Sequence, residues 1–151
     1  MDSKFDRIIH HMEKLNYTWD EQFKDTGLVC EQLEKDEFQP DVIVGISRGG
    51  LIPGVMMSHK LNVPFKPVHA STRDFPHWEN YLPRPSDKKI LIVDDICDSG
   101  ETFEKLSTYI KENINHECDV RFMSLWWNNE SEFEPHYFVK EVAKFTNPVW
   151  I

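Results

Sequence analysis

At 151 residues, with 40% hydrophobic and 13% aromatic side chains, the chain has the composition of one globular domain able to bury a sizeable core, and it is too apolar to be disordered. A net charge of −9 excludes an extended nucleic-acid footprint, which needs clustered Lys and Arg, although backbone amides can still hold a small anion. No apolar stretch reaches bilayer length and the opening residues MDSKFDRIIHHMEK lack a signal-peptide core, so a cytoplasmic protein is expected.

In chain order, Phe5, Ile8, Ile9, Met12 and Leu15 recur at helical spacing and predict a short amphipathic helix over 5–15. Thr18 with Glu21 three positions on is a capping-box pattern, and Phe23, Gly27, Cys30 and Leu33 follow on one face, predicting a helix over 19–35. VIVGI (42–46) is a continuous apolar run rich in β-branched residues, as expected of a strand covered on both faces. Ser47-Arg48-Gly49-Gly50 turns into LIPGVMMSHKL, where Pro53 suits a first helical turn and Leu51, Val55 and His59 share a face. Residues 63–72 predict a strand whose prolines favour an edge position, and residues 73–88, with three prolines and no periodicity, predict a long loop. KILIV (89–93) predicts a central strand, and Phe103, Leu106, Ile110 and Ile114 mark the helix after it. VRFMSLWW (120–127) and HYFVKEV (136–142), joined by the polar NNESEFEP, complete the set. The alternation predicts a single α/β domain over residues 1–151, with a mostly parallel central sheet and helices on both faces.

Most of the chemistry concentrates in Lys89–Leu106. A strand ends in the carboxylates Asp94 and Asp95, and a turn through Asp98, Ser99, Gly100, Glu101 and Thr102 opens a helix. A glycine turn at a helix N-terminus offers amide donors to an anion, and the hydroxyls of Ser99 and Thr102 add to them. Adjacent carboxylates would repel a bare phosphate unless Mg²⁺ or vicinal ribose hydroxyls lie between, so a sugar phosphate with metal satisfies both halves. The competing structural reading has Asp98 and Ser99 as helix caps and the acidic pair merely solvated.

ILIVDDICDSGET (90–102) resembles the 5-phosphoribosyl-1-pyrophosphate signature of type I phosphoribosyltransferases, and Ile46-Ser47-Arg48-Gly49-Gly50-Leu51 resembles the pyrophosphate loop of their xanthine-guanine and hypoxanthine branch. The resemblance implies that fold, with a small hood formed by the C-terminal segment. It implies transfer of the phosphoribosyl group to a purine, 6-oxo purines favoured. In that scheme Asp94 and Asp95 take Mg²⁺ and ribose hydroxyls, and the turn from Asp98 to Thr102 takes the 5′-phosphate. Ser47, Arg48, Gly49 and Gly50 take pyrophosphate, with Arg48 stabilising its charge, while Asp98 serves as general base and Arg73 is a second pyrophosphate contact. Trp150 would stack on the base and the backbone of Ile151 would read its edge. The family's usual Lys contact to the 6-oxo group is replaced by Asn128, whose amide would pair with a 6-oxo group or, turned over, with a 6-amino group. The family tends to continue past the stacking residue with a Pro-Trp-containing tail, whereas this sequence stops at Ile151. A homo-oligomer, dimer or tetramer, is implied as well. Two alternatives share these residues: a non-catalytic regulator that binds the sugar pyrophosphate, and a transferase for a non-purine acceptor.

The remaining candidates for chemistry are weak. Cys30, Cys97 and Cys118 are odd in number and widely spaced, fitting neither a disulfide framework nor a zinc motif, and are expected to be reduced, mostly buried thiols. His10 and His11 are adjacent, and His59, His69, His77, His116 and His136 show no ligand spacing.

Overall fold

Residues 17–69 and 82–143 are described by a computed structural model of the chain. The helix expected over 5–15, most of the loop expected over 73–88 and the C-terminal hood lie outside them.

Thr18 caps the first described helix, α1 (Trp19–Lys35), its hydroxyl accepting the Glu21 N–H at 3.1 Å as the capping pattern requires. Then follow β1 (Val42–Ser47), α2 (Leu51–Leu61), β2 (Phe65–His69), β3 (Lys89–Cys97), α3 (Glu101–Asn113), β4 (Asp119–Asn128) and β5 (Lys140–Val142). The strands form one sheet in the order β2-β1-β3-β4-β5, every pair parallel. β2 takes an edge, where Pro67 can sit in register with Gly45 and turn its missing donor away from the ladder.

The runs that read as doubly covered strands are buried on both faces. On one face Ile43, Leu91, Val93, Met123 and Leu125 pack with Val29, Cys30 and Leu33 of α1 and Met57 of α2. On the other, Val42, Val44, Ile90, Ile92, Val120 and Phe122 pack with Phe103, Leu106 and Ile110 of α3. The sheet therefore carries helices on both faces. All three cysteines are buried free thiols.

The structure departs from the sequence reading in several details. The buried stripe of α1 is Asp25, Thr26, Val29, Cys30 and Leu33, while Phe23 is exposed. Asp25 is drawn inward because its carboxylate accepts from Tyr17 Oη and Lys140 Nζ, each at 2.8 Å. α2 buries Pro53, Gly54 and Met57 rather than Leu51, Val55 and His59. Gly54 lies so close to the Phe65 ring that a Cβ would overlap it, so the small residues set the face that meets the sheet. β3 runs on to Cys97, which places the acidic pair within the strand's end. The expected strand over 136–142 pairs only at Lys140–Val142 and by a bridge between Met123 and Tyr137, and at its start His136 Nδ1, not a carbonyl, accepts the Phe122 N–H at 3.0 Å.

Candidate active site

The sheet order determines where a ligand crevice can form. From β1 the chain goes outward to β2, then returns to β3 on the opposite side of β1, so the loops leaving β1 and β3 diverge at their carboxyl ends. Such a switch point is where open α/β sheets hold ligands. A cleft of about 320 Å³ opens there, walled by Ser47, Arg48 and Gly49 where β1 ends and by the segment from Asp94 to Phe103, which runs from the end of β3 into α3.

Glycines bring the two walls together. A Cβ at Gly49 would overlap the Asp95 carboxylate, and one at Gly50 would overlap the Val93 carbonyl, so only residues without side chains let this loop ride on the end of β3. The Ser47–Arg48 peptide is cis. The Gly50 N–H donates to the Ile46 carbonyl at 2.8 Å and the Leu51 N–H to the Arg48 carbonyl at 3.1 Å, closing the turn, while the Arg48 side chain is exposed.

At the floor of the cleft the Asp95 N–H donates to Asp94 Oδ1 at 2.8 Å. Burial pushes both carboxyls above the usual carboxylate range, and for Asp94 the neighbouring Asp95 charge pushes further. This is the electrostatic state of a site short of positive charge. Among the described residues no group of three or more His, Cys, Asp or Glu side chains forms a metal cage, so a cation held by Asp94 and Asp95 would complete its shell from water or substrate oxygens. Cys97, beside them, is pushed up to about 12 by burial and the charges of Asp94, Asp98 and Glu104, so its thiol stays protonated at neutral pH.

The turn into α3 bends at Gly100, whose φ of 78° and ψ of 2° lie in the left-handed region that favours glycine. Gly100 is itself the N-cap position and no side chain caps from it. Ser99 Oγ accepts the Glu101 N–H at 3.3 Å, whereas the Asp98 carboxylate accepts from Asn128 Nδ2 at 2.9 Å. The capping alternative thus describes Ser99 in part, and the geometry at Asp98 is different. Asn128 Oδ1 accepts the Glu130 N–H at 3.0 Å, which turns the amide oxygen toward Glu130 and its nitrogen toward Asp98.

A family model for the phosphoribosyl transferase domain matches residues 24–151. The chain belongs to this family. Among curated relatives, the xanthine-guanine phosphoribosyltransferase of Chromohalobacter salexigens is 28% identical over 143 residues, covering 91% of this chain and 82% of the relative. The enzyme of the same name from Cereibacter sphaeroides is 31% identical over 115 residues, covering 65% of this chain and just under two thirds, 66%, of the relative. A purine phosphoribosyltransferase from Pyrococcus horikoshii superposes with a TM-score of 0.69 at 27% identity, covering 83% of this chain and 85% of that one. The Helicobacter pylori xanthine-guanine-hypoxanthine phosphoribosyltransferase shares the fold, with a TM-score of 0.72 at 21% identity over 83% of this chain and 84% of that one.

Of the residues singled out in the sequence of this family member, Ser47, Arg48, Gly49, Asp94, Asp95, Asp98, Ser99, Gly100, Glu101 and Thr102 share the cleft wall. Gly50 stands behind it as the start of α2, and Asn128 reaches the cleft through Asp98. Arg73, Trp150 and Ile151 lie outside the described residues. Trp126 is buried in the core beside Tyr17, at 5.4 Å between rings, and Trp127 Nε1 donates to the Phe133 carbonyl at 2.6 Å; both serve packing. Sequence reasoning gave Phe133 no part, yet its ring fills the space beside Gly100 that a Cβ would need. Nothing local in NNESEFEP signals that contact, which forms across the sheet end.

Proposed function

We propose that this chain transfers the 5-phosphoribosyl group from 5-phosphoribosyl-1-pyrophosphate to a purine, 6-oxo purines favoured, and releases pyrophosphate. The observation that carries the reading is the meeting, in one cleft at the switch point, of the glycine loop after β1 and the acidic strand end with its anion-binding turn after β3. The names of the relatives, xanthine-guanine and purine phosphoribosyltransferases, support the acceptor class.

In this reading the 5′-phosphate sits on the turn from Asp98 to Thr102, where the first-turn N–H groups and the α3 dipole favour an anion. Asp94 and Asp95 accept from the ribose hydroxyls and hold Mg²⁺, which fits two carboxyls that burial has left short of positive charge. When bound, the cation neutralises charge on the pyrophosphate oxygens. Arg48, with the backbone of Ser47, Gly49 and Gly50, receives the leaving pyrophosphate, and Arg73 adds a second cationic contact. The C1–O bond breaks and a ring nitrogen of the purine bonds to C1. The attacking nitrogen is the unprotonated one of the imidazole ring, and the proton on the purine N7 passes to the Asp98 carboxylate. Trp150 stacks on the base and the Ile151 backbone meets its edge. The reading extends to the whole of residues 1–151 as one such domain, working in the cytoplasm as a dimer or tetramer.

Incubation with the sugar pyrophosphate, Mg²⁺ and separate hypoxanthine, guanine, xanthine, adenine, uracil and orotate, followed by mass spectrometry, tests the reading. Nucleotide from 6-oxo purines is expected. Folded protein that binds the donor and makes no nucleotide would leave the regulator alternative standing, and product from a pyrimidine alone would overturn the acceptor class.

A further inference from the structure

The polar segment 128–135 follows β4 and folds back against the turn that opens α3. Asn128 Nδ2 donates to Asp98 Oδ1 at 2.9 Å, across 30 residues of sequence. A backbone N–H can only donate, so the 3.0 Å contact from Glu130 N–H obliges the Asn128 oxygen to face Glu130 and the nitrogen to face Asp98. Further along, the Phe133 ring presses against Gly100. That ring is held on Phe103 at 6.0 Å and Phe122 at 5.4 Å, the Phe133 carbonyl accepts a hydrogen bond from Trp127 Nε1 at 2.6 Å, and the Phe133 N–H donates to Ser131 Oγ at 3.1 Å. The segment is thus a brace with a fixed base, and its Asn128 arm ends on Asp98.

Resting on the reading of Asp98 as proton acceptor, we propose that Asn128 is a positioning residue that aims the Asp98 carboxylate at the incoming base, and that it influences the reaction through Asp98 rather than by reading the base's edge. A carboxylate turns readily about its last side-chain bond. A donor on one oxygen restrains that rotation in a carboxylate that lines the cleft, and an N–H donating to a charged acceptor makes a stronger restraint than a neutral pair. A side chain that recognised the 6-position would change the ranking of purines. One that orients the proton acceptor changes the rate for all of them.

The test is a double-mutant cycle of Asn128→Ala and Asp98→Ala, with Asn128→Asp as a third single variant that keeps the acceptor for Glu130 N–H but turns an anion toward Asp98. With hypoxanthine, guanine and xanthine, Asn128→Ala is expected to lower kcat by about 10- to 100-fold for each alike, with purine KM nearly unchanged. Asn128→Asp should lose at least as much, and Asn128→Ala should cost little further in the Asp98→Ala background. A purine-dependent change in KM with kcat intact, or losses that multiply in the double variant, would overturn the proposal. Should Asn128→Ala fail to fold, Asn128→Asp carries the kinetic comparison. Should the wild-type protein turn over no purine, the functional reading falls by itself, and thermal melting of the four proteins of the double-mutant cycle decides the inference: non-additive losses support the Asn128–Asp98 coupling and additive losses remove it.

Discussion

Gly100→Ala strikes the junction between the turn that opens α3 and its brace. At φ of 78° a side chain adds left-handed strain of about 1–2 kcal/mol. The new Cβ would also lie 2.7 Å from Phe133 Cβ and overlap the ring itself. Phe133 cannot swing clear, because Phe103 and Phe122 flank its ring and Trp127 Nε1 holds its carbonyl at 2.6 Å. Overpacking of this kind costs about 1–3 kcal/mol, giving a total of about 2–5 kcal/mol. For a chain of this size that corresponds to a fall in melting temperature of about 4–20 °C. Circular dichroism melting of wild type, Gly100→Ala, Phe133→Ala and the double variant measures it. The double variant should lose less than the two singles combined, since removing the ring relieves the overlap and leaves only the backbone strain. Melting of Gly100→Ala within about 2 °C of wild type would refute the reasoning at both steps.

Further expectations concern charge. Asp25→Ala removes a 2% exposed carboxylate that receives Tyr17 Oη and Lys140 Nζ, and urea titration should show a loss of about 2–3 kcal/mol, below the figure for a fully buried pair because Lys140 keeps some solvent. Asp94→Asn with Asp95→Asn should abolish Mg²⁺-dependent binding of the sugar pyrophosphate in calorimetry while the fold survives. Because both folded-state carboxyls titrate above their unfolded values, their contribution to stability is fully present below about pH 3.9 and is lost as pH rises through the raised folded values. Denaturation of wild type relative to the double variant across that range should therefore show a declining difference, and a flat one would contradict the burial argument. Asp98→Asn keeps the oxygen that faces Asn128 but removes the proton acceptor, so turnover should fall by roughly 10²-fold or more. Unchanged turnover would reduce Asp98 to a structural part of the turn.

Continuous stretches of the chain carried the local half of this site legibly. The run from Ile90 to Thr102 holds the strand, the acidic pair, the glycine and the helix start in one unbroken segment, so hydrophobic periodicity and turn chemistry were enough to read it. The same is true of the capped start of α1 at Thr18 and of the edge strand around Pro67. Which face of a helix is buried was another matter. Phe23 and Val55 are apolar yet exposed, because Asp25 finds partners on Tyr17 and Lys140, and Gly54 finds the Phe65 ring, on other faces of the same helices. Only tertiary structure set the Gly49 backbone against the Asp95 carboxylate, Phe133 against Gly100 and Asn128 on Asp98. Those contacts join residues tens of positions apart, and their geometry depends on strand order and register, which local propensity does not encode.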